Sequence, residues 1–286
     1  MKKSYFHISS HGLESNDIFR SRPDFIQGMN DIALCVLGYD VWILAFCLMS
    51  NHFHFVLYGH REECVRFANE YKRKCAMRMR SRFGDVKGMK DVSLWINEID
   101  SEEYLGNVIA YVLRNPISAG LFMMPYHYPW SSISLYFRGE QLMRGEKLND
   151  MGIRKRRRIL CSHQSVPDTY IIDEHGMILP SCYVKSEIVE KLFRHPARLM
   201  ASLARKVEND VEVRLGISKQ VTFTDQELLT QMGRLVELEF GKRSIYQLTM
   251  DERIRLCLLL KRNFGANVKQ ISRVTRLSPE IVSRVV

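Results

Sequence analysis

Two short stretches carry side chains that could do chemistry if the fold brings them together: His52-Phe53-His54 and Tyr111-Val112-Leu113-Arg114-Asn115-Pro116. Alternate side chains of a strand share a face, so His52 and His54 would point one way while Phe53 and Phe55 point the other. Their Cα atoms would lie roughly 7 Å apart, twice the strand rise, which lets two imidazoles chelate one divalent cation. An H-x-H pair is weak by itself, and two ordinary half-buried histidines read the same way. Tyr111 and Asn115 are i and i+4 on a helix whose apolar stripe is Tyr104, Leu105, Val108, Ile109, Val112 and Leu113, so they stack near the edge of that stripe. Pro116 predicts that the helix finishes about there. Read alone, Tyr111 is a flank-packing aromatic and Asn115 a helix terminator.

Taken together, the two stretches make one reaction plausible. A phenol, with a pKa of about 10, attacks poorly at neutral pH. A cation held by His52, His54 and an amide oxygen would bind oxygens of a phosphodiester, stabilise the charge that develops and fix the in-line geometry. Attack by Tyr111 would leave a 5′-phosphotyrosine and a free 3′-OH. The bond keeps the phosphodiester energy, so the step reverses onto a different 3′ end without ATP.

The elements that must position these groups follow from periodicity. Tyr5 to Ser10 alternates as a strand. Pro23 opens a helical pattern with Phe25, Ile26, Met29, Ile32, Ala33 and Val36 on one face, stopped by Gly38. Val41 to Met49 and His52 to Tyr58 read as a hairpin turning at Met49-Ser50-Asn51. A basic helix over Glu62 to Phe83 stops at Gly84; a strand over Val92 to Ile99 and a helix over Ser101 to Asn115 follow. The first six elements predict an α+β fold, a ferredoxin-like antiparallel sheet with helices on one face. That unit ends near Arg138-Gly139.

Beyond it the pattern weakens. Arg154-Lys155-Arg156-Arg157-Arg158 is a basic run, Asp173-Glu174-His175-Gly176 a turn between short strands, and Ser186 to Lys206 a helix. Thr224 to Glu227 and Thr249 to Glu252 both match a capping box. Helices over Met250 to Asn263, Val268 to Thr275, and from Ser278-Pro279-Glu280 to the end suggest a helix-turn-helix. The expected division is 1–139 catalytic, 140–222 basic linker or accessory region, and 223–286 helical DNA-binding.

At 286 residues, 46% of them apolar, the chain can bury a sizeable core. It has no apolar run of membrane-spanning length and no signal-peptide pattern, so a cytoplasmic, nucleoid-associated protein is expected. Lys plus Arg total 42 against 32 Asp plus Glu, a net +10 that suits a polyanionic partner. Seven cysteines without a C-x-x-C pair read as buried apolar residues rather than disulfides or zinc ligands.

Phe6 to Gly12 (FHISSHG), Ala45 to Leu57 (AFCLMSNHFHFVL), Tyr111 to Leu121 (YVLRNPISAGL) and Tyr128 to Ser132 (YPWSS) occur in an order and spacing that resemble the HUH single-strand transposases, most closely the REP-associated tyrosine transposases. The resemblance covers about the first 140 residues. It implies a ferredoxin-like catalytic domain, Mg²⁺ or Mn²⁺, and cleavage of single-stranded DNA beside a hairpin-containing element or repeat end. Residue by residue it implies metal ligation by His52, His54 and Asn115, with Tyr111 as nucleophile. The YPWSS stretch carries over as structure, with Trp130 in the core. Relatives often have a Gly-Arg-Phe-Lys-like stretch touching DNA before the last strand; here Val92 to Glu98 reads VSLWINE.

The basic helix carries Arg66, Lys72, Arg73, Lys74, Arg78, Arg80 and Arg82. Such a run is a solvated face or, beside a nuclease site, a phosphate-contacting one. Arg154 to Arg158 is likewise a phosphate contact or a flexible linker. The last helix, with Arg284, could enter a major groove. A homodimer exchanging helices and a monomer fit equally well. The rivals to a transposase are a domesticated DNA-binding regulator without turnover and a metal phosphodiesterase that uses water.

Overall fold

In β1 (Ser4–His11) Phe6 and Ile8 alternate with Tyr5, His7 and Ser9, and this alternation decides which chemistry lies on which side of the sheet. The computed structural model describes residues 2–11, 17–84, 89, 92–119, 121, 124–138, 145–204, 225–264 and 266–286. After β1 come α1 (Arg22–Val36), β2 (Val41–Leu48), β3 (Phe53–Gly59), α2 (Arg61–Phe83) and β4 (Ser93–Ile99). All neighbouring strands pair antiparallel, in the order β2-β3-β1-β4. This is the expected ferredoxin-like topology.

Phe6, Ile8, Phe46, Phe55 and Leu57 pack with Phe25, Met29 and Ile32 of α1 and Phe67 and Tyr71 of α2, so these two helices share a face. The next helix, α3 (Glu102–Ser118), covers the other face, where Leu105, Val108, Ile109 and Val112 meet Ala45, Cys47 and Val56. A register shift between Ile43 and Ala45 inserts Leu44 into β2 as a bulge. Beyond it Phe46 and Leu48 still face α1 and α2, and Cys47 still pairs with His54.

Local signals explain the helix ends. Ser101 Oγ accepts the Tyr104 N–H at 3.2 Å, with Glu102 and Glu103 in the positive first turn. α2 stops at Gly84, whose φ of 65° a side chain would strain. The expected stop at Pro116 is corrected: α3 runs through it to Ser118. Proline within a helix removes one N–H donor, and here that loss falls in the last turn, where it interrupts little. His52 also lies just ahead of β3 rather than within it, its carbonyl closing the hairpin turn on the Met49 N–H at 2.8 Å.

Two buried or half-buried ion pairs join α1 to α2: Asp31 with Arg78, and Asp24 with Arg82. β2 is an edge strand, and its outer rim is met by residues 128–136. The hydroxyls of Tyr128 and Tyr136 donate to the carbonyls of Leu48 at 2.5 Å and Leu44 at 2.6 Å. Ser132 Oγ accepts the Phe46 N–H at 3.0 Å, and the Leu48 N–H reaches Trp130 O at 2.8 Å. Trp130 itself stacks on Phe25 with ring centroids 4.9 Å apart, a packing role as expected.

Further along, β5 (Glu146–Lys147) pairs with β6 (Ile171–Ile172), and the Arg154 to Arg158 run is helical within α4 (Ile153–Leu160). The Asp173 to Gly176 turn is present, with Asp173 Oδ1 accepting the N–H groups of His175 at 2.9 Å and Met177 at 2.8 Å. The single helix expected over 186–206 is two: α5 (Ser186–Phe193) and α6 (Pro196–Ala204). Arg194 turns into the left-handed region at φ 61° and Pro196 opens the next helix, which breaks the run; residues 205 and 206 lie outside the described set. α7 (Asp225–Phe240), α8 (Met250–Phe264), α9 (Val268–Thr275) and α10 (Pro279–Val285) complete a mostly helical C-terminal region. The Thr249–Glu252 capping box forms, with Thr249 N–H on Glu252 at 2.7 Å. A second, Asn267 with Gln270, was not expected. Ser278 caps α10. The box at Thr224 lies outside the described residues, as do Gly139 and Gly265.

Among the described residues every cysteine is free and no helix is long and apolar enough to cross a membrane. Five cysteines are buried as expected; Cys161 is exposed and Cys182 half-buried.

Candidate active site

The face of the sheet under α3 gathers the chemistry. His54 projects from β3, which is antiparallel to β1 with Ser9 opposite His54 and His7 opposite Val56. That register sets His7 diagonal to His54, and His7 Nε2 lies 3.1 Å from His54 Nδ1. A neutral imidazole carries one N–H and one bare nitrogen, so one ring donates to the other. The two rings are near-parallel, with centroids 5.3 Å apart. From above, α3 brings the Tyr111 ring edge-on to both, 5.9 Å from His7 and 5.7 Å from His54. His7, His54 and Tyr111 are 1%, 1% and 3% exposed, a buried cluster rather than the helix-edge position expected of Tyr111.

His52 completes one side. It is half-buried, its ring 4.9 Å from that of His54 and perpendicular to it, and its Nδ1 lies 2.7 Å from Asn51 Oδ1. The hairpin turn, rather than strand alternation alone, thus brings the H-x-H pair to one place. Asn115 follows Tyr111 by one helical turn and is 1% exposed. Its amide nitrogen donates to the carbonyls of Tyr111 at 3.0 Å and Val112 at 3.3 Å. Its Oδ1 is buried without a hydrogen-bond partner among the described residues. Imidazole nitrogens and an amide oxygen are donors suited to a divalent cation of the first transition row. No three His, Cys, Asp or Glu side chains among the described residues are set to hold a metal ion, so a site here needs the amide.

Sequence reasoning missed His7. A lone histidine in a strand has no spacing partner, and only the β1–β3 register reveals its contact. The usable signal was its place on the polar side of a strand whose other side is Phe6 and Ile8.

The basic residues lie elsewhere, on the α1 and α2 side of the sheet. Arg73, Lys74, Arg78, Arg82 and Arg158 line a cleft of about 820 Å³, which joins the two basic runs that look separate in sequence. Several carry internal partners: Arg66 with Glu63, Arg73 with Glu70 at 2.7 Å, Lys72 with the Val92 carbonyl, Arg82 with Asp24. Arg78 is largely buried against Asp31, 8% exposed where it meets the cleft. Arg80 and Arg284 are exposed.

No protein-family profile and no curated protein matches the sequence. A solved structure, a REP-associated tyrosine transposase bound to a REP hairpin, is similar over 46% of this chain and 77% of its own, at 12% identity and a TM-score of 0.34.

Proposed function

We propose that this chain is a metal-dependent, single-strand DNA transposase of the HUH tyrosine class, cleaving and rejoining DNA through Tyr111. The observation that carries the reading is the meeting of Tyr111 with His54, and of His54 with His52, on one face of a ferredoxin-like sheet, with Asn115 one helical turn from the tyrosine. The motif order seen in the sequence supports the same reading independently of that geometry.

The residues present fit a bound cation: two neighbouring imidazoles and a buried amide oxygen with no other partner among the described residues. His52, His54 and Asn115 would hold Mg²⁺ or Mn²⁺, which supplies charge stabilisation and alignment at the scissile phosphate. Tyr111 Oη attacks phosphorus as its proton leaves; the O3′–P bond breaks, the 3′ oxygen takes up a proton, and the 5′ phosphate stays on the tyrosine. The reverse attack by another 3′-OH restores the phosphodiester and frees the phenol. His7 fixes the ring of His54. The walls of α3 and the sheet keep water from the phosphotyrosine. The partner is single-stranded DNA at a hairpin-containing end, with the basic cleft and the C-terminal helices, as a helix-turn-helix, contacting phosphates away from the chemistry.

One observation favours the regulator without turnover: a 3% exposed phenol is not open to a DNA strand without local movement. The two readings separate in one assay. Single-stranded hairpin DNA labelled at its 5′ or 3′ end is incubated with Mn²⁺ and wild type, Tyr111→Phe or His52→Ala. The transposase yields a protein adduct only with the 3′-labelled downstream fragment, and neither variant forms it. Cleavage that survives Tyr111→Phe points to water as nucleophile. Binding without cleavage selects the regulator.

A further inference from the structure

Proline at position 116 sits inside α3 and has no N–H to give to the carbonyl four residues back. That carbonyl belongs to Val112, and the side-chain amide of Asn115 takes it at 3.3 Å. The same nitrogen also reaches the Tyr111 carbonyl at 3.0 Å. An amide oxygen in that place would face two carbonyl oxygens, so only one orientation of the Asn115 amide is tolerable. With the nitrogen held by the two carbonyls, Oδ1 is fixed as the other end of the amide. That oxygen is buried and has no hydrogen-bond partner among the described residues, a costly state unless a ligand satisfies it.

We propose that Pro116 is a positioning residue: by withholding a backbone donor it leaves the Val112 carbonyl to the Asn115 amide, and so presents the asparagine oxygen to the cation of the active site. The inference rests on the metal-dependent reading above. The helix already continues through position 116, so alanine there fits the backbone without rearrangement. The restored N–H then claims the Val112 carbonyl, and Asn115 keeps one anchor instead of two. The side chain becomes free to turn, and the oxygen is no longer preset.

The test compares full-length wild type, Pro116→Ala and Asn115→Ala without DNA. Mn²⁺ affinity is titrated by electron paramagnetic resonance, exchange of the Asn115 side-chain amide protons is followed by NMR, and Tm is recorded. Pro116→Ala should raise Tm, because the helix gains a hydrogen bond and loses a poor helix former. It should also weaken Mn²⁺ binding roughly tenfold, as loss of a group that orients a ligand does, with Asn115→Ala as the upper limit. Exchange of the Asn115 amide protons should accelerate. A stabilised helix with weaker metal binding is a combination that a merely structural proline does not produce. Wild-type affinity in Pro116→Ala overturns the proposal while leaving the metal reading intact. If wild type binds no Mn²⁺, the metal reading fails, and the amide exchange alone decides whether Pro116 holds Asn115: unchanged exchange overturns it. Pro116→Val supplies the same N–H with a different side chain, should the alanine variant fail to fold.

Discussion

His54 has two ring nitrogens with different neighbours. Nδ1 lies 3.1 Å from His7 Nε2, so if His54 holds a cation as proposed, Nε2 would be the nitrogen that does so. A ligand imidazole held at its second nitrogen is fixed in both rotation and tautomer, and removing such a partner usually weakens metal affinity 10- to 100-fold by rough measure. His7→Ala should therefore lose Mn²⁺ affinity on that scale, while His7→Gln, which can still hydrogen-bond, should lose less. A Mn²⁺ titration in which His7→Ala matches wild type would show that His54 needs no such support. The nearness of His52 to His54 and of Tyr111 to Asn115 was legible from the spacings i,i+2 and i,i+4, whereas the turn that places His52 and the burial of Tyr111 were not. His7 was not legible, because its contact depends on which residues of β1 and β3 pair, a long-range fact.

Where periodicity was strong, the elements were readable before the structure: β1, α1, the hairpin, α2, β4 and α3 all lie within a few residues of their expected limits. The errors have local causes. Pro116 reads as a stop, but in the last turn it removes one bond without breaking the helix. Across 186–206 the apolar period persists through Arg194-His195-Pro196, and period alone does not register a left-handed residue before a proline. The basic face of α2 shows a subtler difference. Arg78 looks like a surface charge in sequence, yet it is buried against Asp31 of α1, whose carboxyl is pushed up by burial and pulled back by the guanidinium. Arg78→Met leaves that buried carboxylate without its guanidinium, the Gln27 amide at 3.4 Å remaining, and should cost about 3–5 kcal/mol. The double variant Asp31→Leu with Arg78→Met should recover most of it. Urea unfolding of the three variants measures this; a single variant within about 1 kcal/mol of wild type would mean that Asp31 relaxes to solvent, as exposed pairs do.

Seen whole, the molecule sets two groups of residues on opposite sides of one sheet: the imidazoles, Tyr111 and Asn115 on the α3 side, and the basic cleft beside α1 and α2. Nothing in the order of residues along the chain announces that division, since α2 and α3 are both amphipathic and only packing assigns them to opposite sides. The same sheet has an outer strand, β2, whose rim is met by two phenols and a serine beside isolated backbone bonds from Leu48 to Trp130 and from Lys185 to Ile43. Each of the side-chain bonds hangs on one oxygen atom. Tyr128→Phe with Tyr136→Phe keeps nearly all the packing but takes the phenol donors from the Leu48 and Leu44 carbonyls, edge acceptors of the kind that invite pairing with another chain. The expected outcome is self-association that grows with protein concentration in light scattering, at nearly unchanged secondary structure; a variant that stays monodisperse at high concentration would refute it. The short stretch after Tyr128 would then matter less for how this protein folds than for how it stays apart from its own copies.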